Sequence, residues 1–420
     1  MHVTFITYPL VLTGAMGRFT QGTDVFHNED ALREEYEPNE ILEREEEEEE
    51  FLNTLKSVTS GSRPSNIFVY GQTGLGKTLA TRMMLRELKE DVTEMEDISL
   101  ELVWENCHDN TSYQTAVSFV NQLRDTDEKI KGSGYATSAV HDMLWQAVRE
   151  SDKTHIIFVL DEVDGIAEDG DNKLLYQLGR ANAEEDLGGT KVSLVGISNN
   201  FTFRDNLDPR VRECLCESEI HFSPYNANQL RSILTQRVSE AFKEGVISEG
   251  AIPKIAAKTA QDTGSARHAI DMLHEAGLLA RQRGLEYIDD DLVGDAAEAV
   301  QRGRIMDELR SLTQQSHYVL WAIITLEKDG NTPASTSEIY SKYRTIANIH
   351  NSNVQSKRTI HNRLSDLSLG GFLSFRQVNK GKGGGMYNTY TLEMPADIVE
   401  DVLDNQYEET GSTHVQTELS

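Results

Sequence analysis

A glycine-rich run joins an apolar stretch, residues 67–70, to a helical pattern over residues 79–85. The run reads Gly71-Gln72-Thr73-Gly74-Leu75-Gly76-Lys77-Thr78, which fits the pattern G-x-x-x-x-G-K-T. A strand that turns sharply into a helix directs several backbone N–H groups at one point, where they bind a phosphate group. The lysine of this pattern reaches the β- and γ-phosphates, and the hydroxyl after it binds Mg²⁺. The run therefore predicts an α/β fold with a nucleoside-triphosphate site; a chance glycine-rich turn is the alternative.

A second apolar run, residues 154–160, ends in the acidic sequence Asp161-Glu162-Val163-Asp164. Apolar residues at nearly every position are typical of a strand buried on both faces of a parallel sheet. Its C-terminal end then lies at the edge where open α/β sheets bind ligands. We expect Asp161 to hold Mg²⁺ through water and Glu162 to orient the attacking water. The two motifs together indicate hydrolysis of the nucleotide, although a solvated acidic turn is the alternative for the second.

The charge of the chain is strongly acidic but unevenly distributed. The 420 residues, enough for two or three domains, carry a formal net charge of −29. Residues 340–390 contain eight basic residues and one acidic residue, a net charge of +7. Such asymmetry indicates one module that faces nucleic acid. The acidity elsewhere is typical of proteins from salt-loving cells, with an ordinary acidic protein as the alternative.

The remaining bulk features exclude several classes of protein. No C-x-x-C spacing occurs, so we expect neither zinc nor disulfides from the cysteines, which are Cys107, Cys214 and Cys216. No apolar stretch has the length of a membrane span, and residues 5–11 lack the basic flank of a signal peptide. A cytoplasmic location without membrane contact is the expectation, and Met16 is an alternative start to Met1.

The pattern along the chain predicts an ordered series of domains. Residues 1–25 form an unstructured tail, and residues 39–58 form one acidic helix. The α/β domain covers residues 26–223, with strands at 66–70, 99–106, 155–160 and 192–198. Helical periodicity replaces the strands over residues 224–302. A mixed domain occupies 305–403, and an acidic tail follows from 404 to 420.

The basic module reads as a helix followed by a hairpin. In a helix over residues 355–367, Ile360, Leu364 and Leu367 share one face and polar groups share the other. Arginine suits guanine, and asparagine or glutamine suits adenine. Two strand patterns, 372–376 and 386–392, flank a glycine-rich basic tip. These features predict a winged helix-turn-helix, with a protein-binding winged helix as the alternative. The predicted DNA contacts are Gln355, Arg358, Thr359, Asn362, Arg363, Lys380 and Lys382.

The order of the motifs resembles a known family. Three further motifs follow the first two: Gly196-Ile197-Ser198-Asn199-Asn200, Leu207-Asp208-Pro209-Arg210-Val211 and Gly264-Ser265-Ala266-Arg267. With the basic C-terminal module, this order resembles the AAA+ ATPases that initiate DNA replication in archaea, over residues 24–402. That family is similar to the origin recognition complex and to the helicase-loading cell-division-control proteins of eukaryotes.

The resemblance assigns roles to individual residues. It implies that Asn199 is the sensor-1 residue and that Arg267 is the sensor-2 arginine on a helical lid. Arg210 is the implied arginine finger, acting in trans on a neighbouring subunit, and Arg212 is a second candidate. Tyr225 is a further expected nucleotide contact. Where the family often has an acidic residue, this chain has Ser265.

The resemblance also implies a function. It implies an initiator that binds double-stranded origin DNA, uses slow ATP hydrolysis with Mg²⁺ as a switch, and recruits or loads the replicative helicase. Homo- or hetero-oligomers of initiators on DNA are further implied partners. Two alternatives stay open: a paralogue that acts as a DNA-binding regulator, and a clamp-loader-like or transposition-helper ATPase whose C-terminal module binds protein.

Overall fold

The computed structural model describes residues 24–167, 172–200, 202–379 and 386–408. The chain divides into two compact units, one ending at Ala296 and the other beginning at Ala297. Lys380, Lys382 and most of the two predicted tails lie outside the described residues. Within the described part, no helix combines the length and the apolar character needed to span a bilayer.

The first unit contains a parallel sheet, whose described strands lie in the order β2–β3–β4–β1–β5. The strands are β1 (Ile67–Tyr70), β2 (Leu100–Asn106), β3 (His155–Asp161), β4 (Lys191–Ser198) and β5 (Ser218–His221). The first four lie where the sequence predicts them. Strand β5 was not predicted, because this short edge strand buries only Ile220 and so has no apolar run.

The helices of this unit that precede the lid pack around the sheet. They are α1 (Glu45–Leu55), α2 (Lys77–Thr93), α3 (Ser112–Leu123), α4 (Thr137–Glu150), α5 (Asp164–Ala167), α6 (Lys173–Glu184), α7 (Phe203–Asn206) and α8 (Pro209–Leu215). The predicted helix over residues 39–58 was wrong at its start. Glu43 has a left-handed φ of 65°, which interrupts any helix there, and α1 begins after the buried Arg44.

The lid consists of helices, as the periodicity predicts. Its elements are α9 (Ala227–Ala241), α10 (Ala251–Asp262), α11 (Ala266–Arg283) and the first part of α12 (Asp290–Ser311). Asn226 begins α9 with a capping box, because its side chain accepts from the backbone of Gln229 and the Gln229 side chain accepts from its backbone. Ser265 caps α11 by accepting from the backbone N–H of His268 at 3.3 Å.

The second unit is a winged helix with an antiparallel sheet in the order β6–β8–β7. Its further elements are α13 (Gln314–Lys328), β6 (Ala334–Ser335), α14 (Thr336–Ile349), α15 (Lys357–Leu369), β7 (Leu373–Asn379), β8 (Met386–Leu392) and α16 (Ala396–Glu408). The predicted DNA-reading helix is α15, which begins two residues later than predicted because Ser356 caps it. Its apolar residues Ile360, Leu364 and Leu367 are buried, as predicted. Helix α16 continues past residue 404, where the acidic tail was predicted to begin.

Candidate functional site

A cavity of about 540 Å³ lies where the predicted motifs converge. Because β1, β3 and β4 are parallel neighbours, their C-terminal ends share one edge of the sheet. Tyr70 pairs with Ser198, so the loop after β1 and the residue after β4 lie side by side. Thr78, Asp161, Glu162, Asn199 and Arg267 all line this cavity, with the lid and the segment before α1 as further walls.

The lysine of the glycine-rich loop lies at the centre of a hydrogen-bonded cluster. Lys77 is 4% exposed at the start of α2. Its Nζ donates to the carbonyl oxygens of Gly71 at 2.9 Å and Gln72 at 2.7 Å, and to Oδ1 of Asn199 at 2.7 Å. Burial lowers the pKa of Lys77 to about 8. The structure thus brings the predicted phosphate-binding lysine and the predicted sensor-1 asparagine into direct contact.

The two predicted Mg²⁺ ligands are also adjacent. The Thr78 hydroxyl donates to Oδ1 of Asp161 at 3.1 Å. Burial raises the pKa of Asp161, and the Thr78 hydrogen bond opposes that effect. A hydroxyl and a carboxylate side by side at the phosphate loop fit a magnesium ion, which binds few protein oxygens and retains several waters. Thr78 and Asp161 are therefore the residues that would hold Mg²⁺.

Glu162 follows this pair in an unusual backbone conformation. Its φ of 54° lies in the left-handed region, which non-glycine residues rarely adopt and which is often found at functional sites. Its carboxylate lines the cavity, and one oxygen lies 3.0 Å from Nδ1 of His108. The structure thus places Glu162 at the cavity, beside the predicted Mg²⁺ ligand Asp161.

The lid contacts the phosphate loop at Gly74. A Cβ on this residue would lie 2.2 Å from Oγ of Ser265, and its φ of 75° also favours glycine. The Gly74 carbonyl accepts from the Ser265 hydroxyl and from the Arg267 backbone N–H, both at 3.3 Å. The serine that departs from the family pattern therefore serves both as a helix cap and as a contact with the loop.

The side chain of Arg267 is held by the segment before α1. One guanidinium nitrogen donates to Oε1 of Glu34 at 2.5 Å, and the second pairs with the other carboxylate oxygen. Both side chains are exposed. The arginine predicted to sense the nucleotide thus lines the cavity while its charge is paired with Glu34.

Arg44 connects the phosphate loop with the chain that enters the lid, a role that sequence reasoning missed. It is 3% exposed, and its Nε donates to the Tyr225 hydroxyl at 2.7 Å. A terminal nitrogen donates to the carbonyls of Leu75 at 3.1 Å and Ser223 at 2.9 Å. The guanidinium carbon lies 3.7 Å from the centroid of the Tyr225 ring. Tyr225 therefore lines the cavity with its hydroxyl already bound, and burial raises its pKa.

The arginine-finger candidates lie elsewhere. Arg210 and Arg212 are exposed on α8, and neither is among the described residues that line the cavity. Asp208 caps this helix by accepting from the Arg210 backbone N–H at 2.9 Å. An exposed arginine outside its own nucleotide cavity is compatible with action on a neighbouring subunit, which stays a prediction.

In the winged helix, three of the seven predicted DNA contacts share one exposed face of α15. Arg358, Thr359 and Asn362 are exposed, while Gln355 precedes the helix and is half-buried. Arg363 is turned about 140° from Arg358 around the helix axis. It donates inward to the hydroxyls of Thr313 at 2.5 Å and Ser316 at 2.7 Å. The structure thus separates Arg363 from the face formed by Arg358, Thr359 and Asn362.

Comparison with known proteins places this geometry in a family. Residues 40–188 match the AAA ATPase domain, residues 231–298 the Cdc6 AAA+ ATPase-type lid domain, and residues 307–402 the C-terminal winged helix domain of CDC6. ORC1-type DNA replication protein 1 of Haloarcula marismortui is 40% identical over 401 residues, covering 92% of this chain and 94% of its own.

The chain belongs to the family of ORC1-type DNA replication proteins.

Other ORC1-type relatives and a solved structure agree. ORC1-type DNA replication protein 8 of Halobacterium salinarum is 41% identical over 388 residues, covering 92% of this chain and 97% of its own. The Aeropyrum pernix ORC1 protein, solved in complex with DNA, superposes with a TM-score of 0.79 at 32% identity, covering 92% of this chain and 98% of that one. The predicted family and the predicted AAA+, lid and winged-helix fold are confirmed. Relatives from Haloarcula and Halobacterium fit the expectation that the acidic composition of this chain is of the kind found in salt-loving cells.

Proposed function

We propose that this ORC1-type protein is an ATP-dependent replication initiator. It binds double-stranded origin DNA, hydrolyses ATP slowly to ADP and phosphate as a switch, and recruits or loads the replicative helicase, alone or as an oligomer with other initiators. The observation that carries the proposal is that two hydrogen-bonded pairs line one cavity, Lys77 with Asn199 at 2.7 Å and Thr78 with Asp161 at 3.1 Å, in a chain that also has a winged helix. Such a protein would act in the cytoplasm, bound to chromosomal DNA.

Five side chains of the cavity, and one arginine from outside it, have roles in hydrolysis. Backbone N–H groups at the start of α2 and the Lys77 ammonium bind the β- and γ-phosphates. Thr78 and Asp161 would hold Mg²⁺, which neutralises charge on the phosphates. Glu162 orients the attacking water, and Asn199 contacts the γ-phosphate or that water. Arg210 of a neighbouring subunit would stabilise the charge that develops in the transition state.

Matched variants test the hydrolytic roles. Lys77→Ala should lose measurable affinity for ATP, since the buried ammonium is the main cationic contact with the phosphates. Glu162→Gln should bind ATP with unchanged affinity but turn it over at least 100-fold more slowly, because the carboxylate no longer orients water. Calorimetry and a phosphate-release assay measure the two quantities. Normal ATP binding by Lys77→Ala, or normal turnover by Glu162→Gln, would contradict the assignment.

The winged helix is the proposed DNA-reading unit. Arg358, Thr359 and Asn362 present hydrogen-bonding groups on one exposed face of α15, as direct readout of the major groove requires. The Aeropyrum pernix relative, whose structure was solved with DNA, supports this role. Lys380 and Lys382 stay predictions for phosphate contacts at the wing, whereas Arg363 is engaged inside the unit.

Sequence discrimination separates base contacts from phosphate contacts. Arg358→Ala should reduce binding to a specific site by about 10- to 100-fold, with little effect on unrelated DNA. Lys382→Ala should weaken both about equally, because a phosphate contact carries no sequence information. Arg310→Ala is the matched control, since Arg310 is exposed on α12 and pairs with Asp307. Fluorescence anisotropy with both DNAs measures the ratio; equal losses for Arg358→Ala would remove its reading role.

Salt sets a further condition on DNA binding. For each phosphate contact, the binding constant for DNA falls by about 0.9 log units when the salt concentration rises tenfold. In a salt-rich cytoplasm, base contacts and cooperation between neighbouring subunits must therefore carry more of the affinity than backbone charge. We expect specific binding to persist in molar potassium chloride. A salt slope steep enough to abolish it would contradict this interpretation.

A further inference from the structure

A buried hydroxyl links the end of β4 to the start of α5. Ser198 is the last residue of β4 and is 0% exposed. Its Oγ lies 2.7 Å from Oδ1 of Asp164, the first residue of α5, and 3.4 Å from the Asn200 carbonyl oxygen. The proton of the hydroxyl therefore goes to the nearer acceptor, Asp164. A hydroxyl that donates to a carboxylate at this distance forms a strong, charge-assisted hydrogen bond.

The same hydroxyl shapes the backbone that carries Asn199. Oγ of Ser198 accepts from the Asn200 backbone N–H at 2.9 Å. A serine side chain bound to the N–H two residues ahead forms a tight turn, and Asn199 is the middle residue of this one. A hydroxyl has one proton to donate and two lone pairs with which to accept. Because the proton goes to Asp164, a lone pair stays free for the Asn200 N–H. Asp164 thus holds the hydroxyl in the orientation that the turn needs.

The turn directs Asn199 at the phosphate loop. Asn199 is exposed and lines the cavity, and its Oδ1 accepts from Nζ of Lys77 at 2.7 Å. A chain of contacts therefore runs from Asp164 through the turn at Ser198 to Asn199 and Lys77. Asp164 and Ser198 are not among the described residues that line the cavity. Any effect of these two residues on the nucleotide must then pass through a neighbour, and Asn199 is the neighbour that their hydrogen bonds hold.

We propose that Asp164 and Ser198 are positioning residues that aim the Asn199 side chain at the γ-phosphate end of the site. Asp164 orients the Ser198 hydroxyl, the hydroxyl holds the turn, and the turn fixes the amide of Asn199. This role rests on the proposed function, because it assumes that Asn199 acts in ATP hydrolysis. A misplacement of about 1 Å at such a group can reduce the rate by about 100-fold. The N–H groups at the start of α2 still bind the phosphates, so ATP affinity is retained.

Three variants and a control separate hydrogen bonding from charge. Ser198→Ala removes the hydroxyl, and Asp164→Ala removes its acceptor. Asp164→Asn removes the charge but keeps a side-chain oxygen that accepts from Ser198. Ser193→Ala is the matched control, because Ser193 is 0% exposed on the same strand and donates to the Ser65 carbonyl at 3.0 Å. It is not among the described residues that line the cavity. Phosphate release by the full chain at saturating ATP measures turnover, and calorimetry measures the dissociation constant of ATP.

The expected result is a loss of turnover without a loss of binding. Ser198→Ala and Asp164→Ala should lower turnover by about tenfold or more, whereas Asp164→Asn and Ser193→Ala should stay within about threefold of the unaltered protein. The dissociation constant of ATP should change by less than about threefold in all four variants, which also shows that they are folded. In an Asn199→Ala background, Ser198→Ala should lower turnover by less than a further twofold or so, because its effect passes through Asn199.

Four results would overturn the inference. Normal turnover by both Ser198→Ala and Asp164→Ala would show that the hydroxyl does not position Asn199. Equal losses for Asp164→Asn and Asp164→Ala would show that Asp164 acts through its charge. Equal losses of ATP affinity and turnover would show that the two residues only support the fold. An undiminished loss from Ser198→Ala in the Asn199→Ala background would assign the effect to another group. Normal turnover by Asn199→Ala, or no turnover by the unaltered protein, is a distinct outcome, which would overturn the proposed function itself.

Discussion

Replacing Arg44 with methionine tests whether this buried side chain holds the phosphate loop to the lid. The change removes hydrogen bonds to the Tyr225 hydroxyl at 2.7 Å and to the carbonyls of Leu75 at 3.1 Å and Ser223 at 2.9 Å. Hydrogen bonds to charged groups contribute about 1.5 to 3 kcal/mol each, and the stacking on Tyr225 adds about 1 kcal/mol. The change also removes the ion pair with Glu47 at 2.6 Å, whereas the desolvation cost of the buried guanidinium, which is no longer incurred, offsets part of the total. We therefore expect a net destabilisation of about 3 kcal/mol.

Hydrogen exchange is the suitable assay, because a chain of two units does not unfold in one two-state step. A loss of about 3 kcal/mol should accelerate exchange of the protected amides in α2 and α9 by about 100-fold. Arg33→Met is the matched control, since Arg33 is 59% exposed and pairs only with Asp30 among the described contacts. The control should change exchange by less than about threefold.

Two outcomes would contradict this role of Arg44. A change of less than about fivefold in both helices would show that these hydrogen bonds do not stabilise the unit. Acceleration confined to α1, with α2 and α9 unchanged, would show that Arg44 stabilises its own helix and does not join the loop to the lid. Either result would refute the role assigned to Arg44.

Three further predictions concern the lid and the segment before α1. Gly74→Ala should lower ATP affinity by at least about tenfold in calorimetry, because a Cβ would lie 2.2 Å from the serine Oγ that caps α11. Glu34→Gln should raise ATP affinity a few-fold, since Arg267 loses the carboxylate that competes with phosphate; unchanged affinity would contradict that competition. Hydrogen bonding from Arg281 lowers the pKa of Glu29 below 4.5, so its stabilising effect is complete above that pH and is lost as the pH falls through the lowered value. The thermal midpoints of the unaltered protein and Glu29→Gln should therefore differ constantly above about pH 4.5 and converge as the pH falls through the lowered pKa, and a difference that persists at still lower pH would contradict this.

Local patterns account for what the sequence predicts correctly. The glycine-rich loop and the apolar runs of β1, β3 and β4 each have a strong local signal. The meeting of Lys77 and Asn199 follows because parallel neighbours end at the same edge of a sheet. The face of α15 that carries Arg358 follows from helical periodicity alone.

Contacts between distant parts of the chain could not be predicted in this way. Arg44 and Tyr225 are 181 positions apart, and no local pattern distinguishes this arginine from a surface one. Arg237 reads as a helix residue until the fold places it against Tyr36. Arg363 is a residue type that often contacts DNA, but its guanidinium donates hydrogen bonds to the hydroxyls of Thr313 and Ser316. In each case the partner is supplied by tertiary structure.

A map of where the protein binds across the genome in growing cells, overlaid on a profile of where replication starts, tests the central claim most directly. An initiator should give sharp binding at one or more replication start sites and thereby reveal its recognition repeats. Binding confined to promoters away from every start site would contradict the claim, and would identify a DNA-binding regulator with the fold of an initiator.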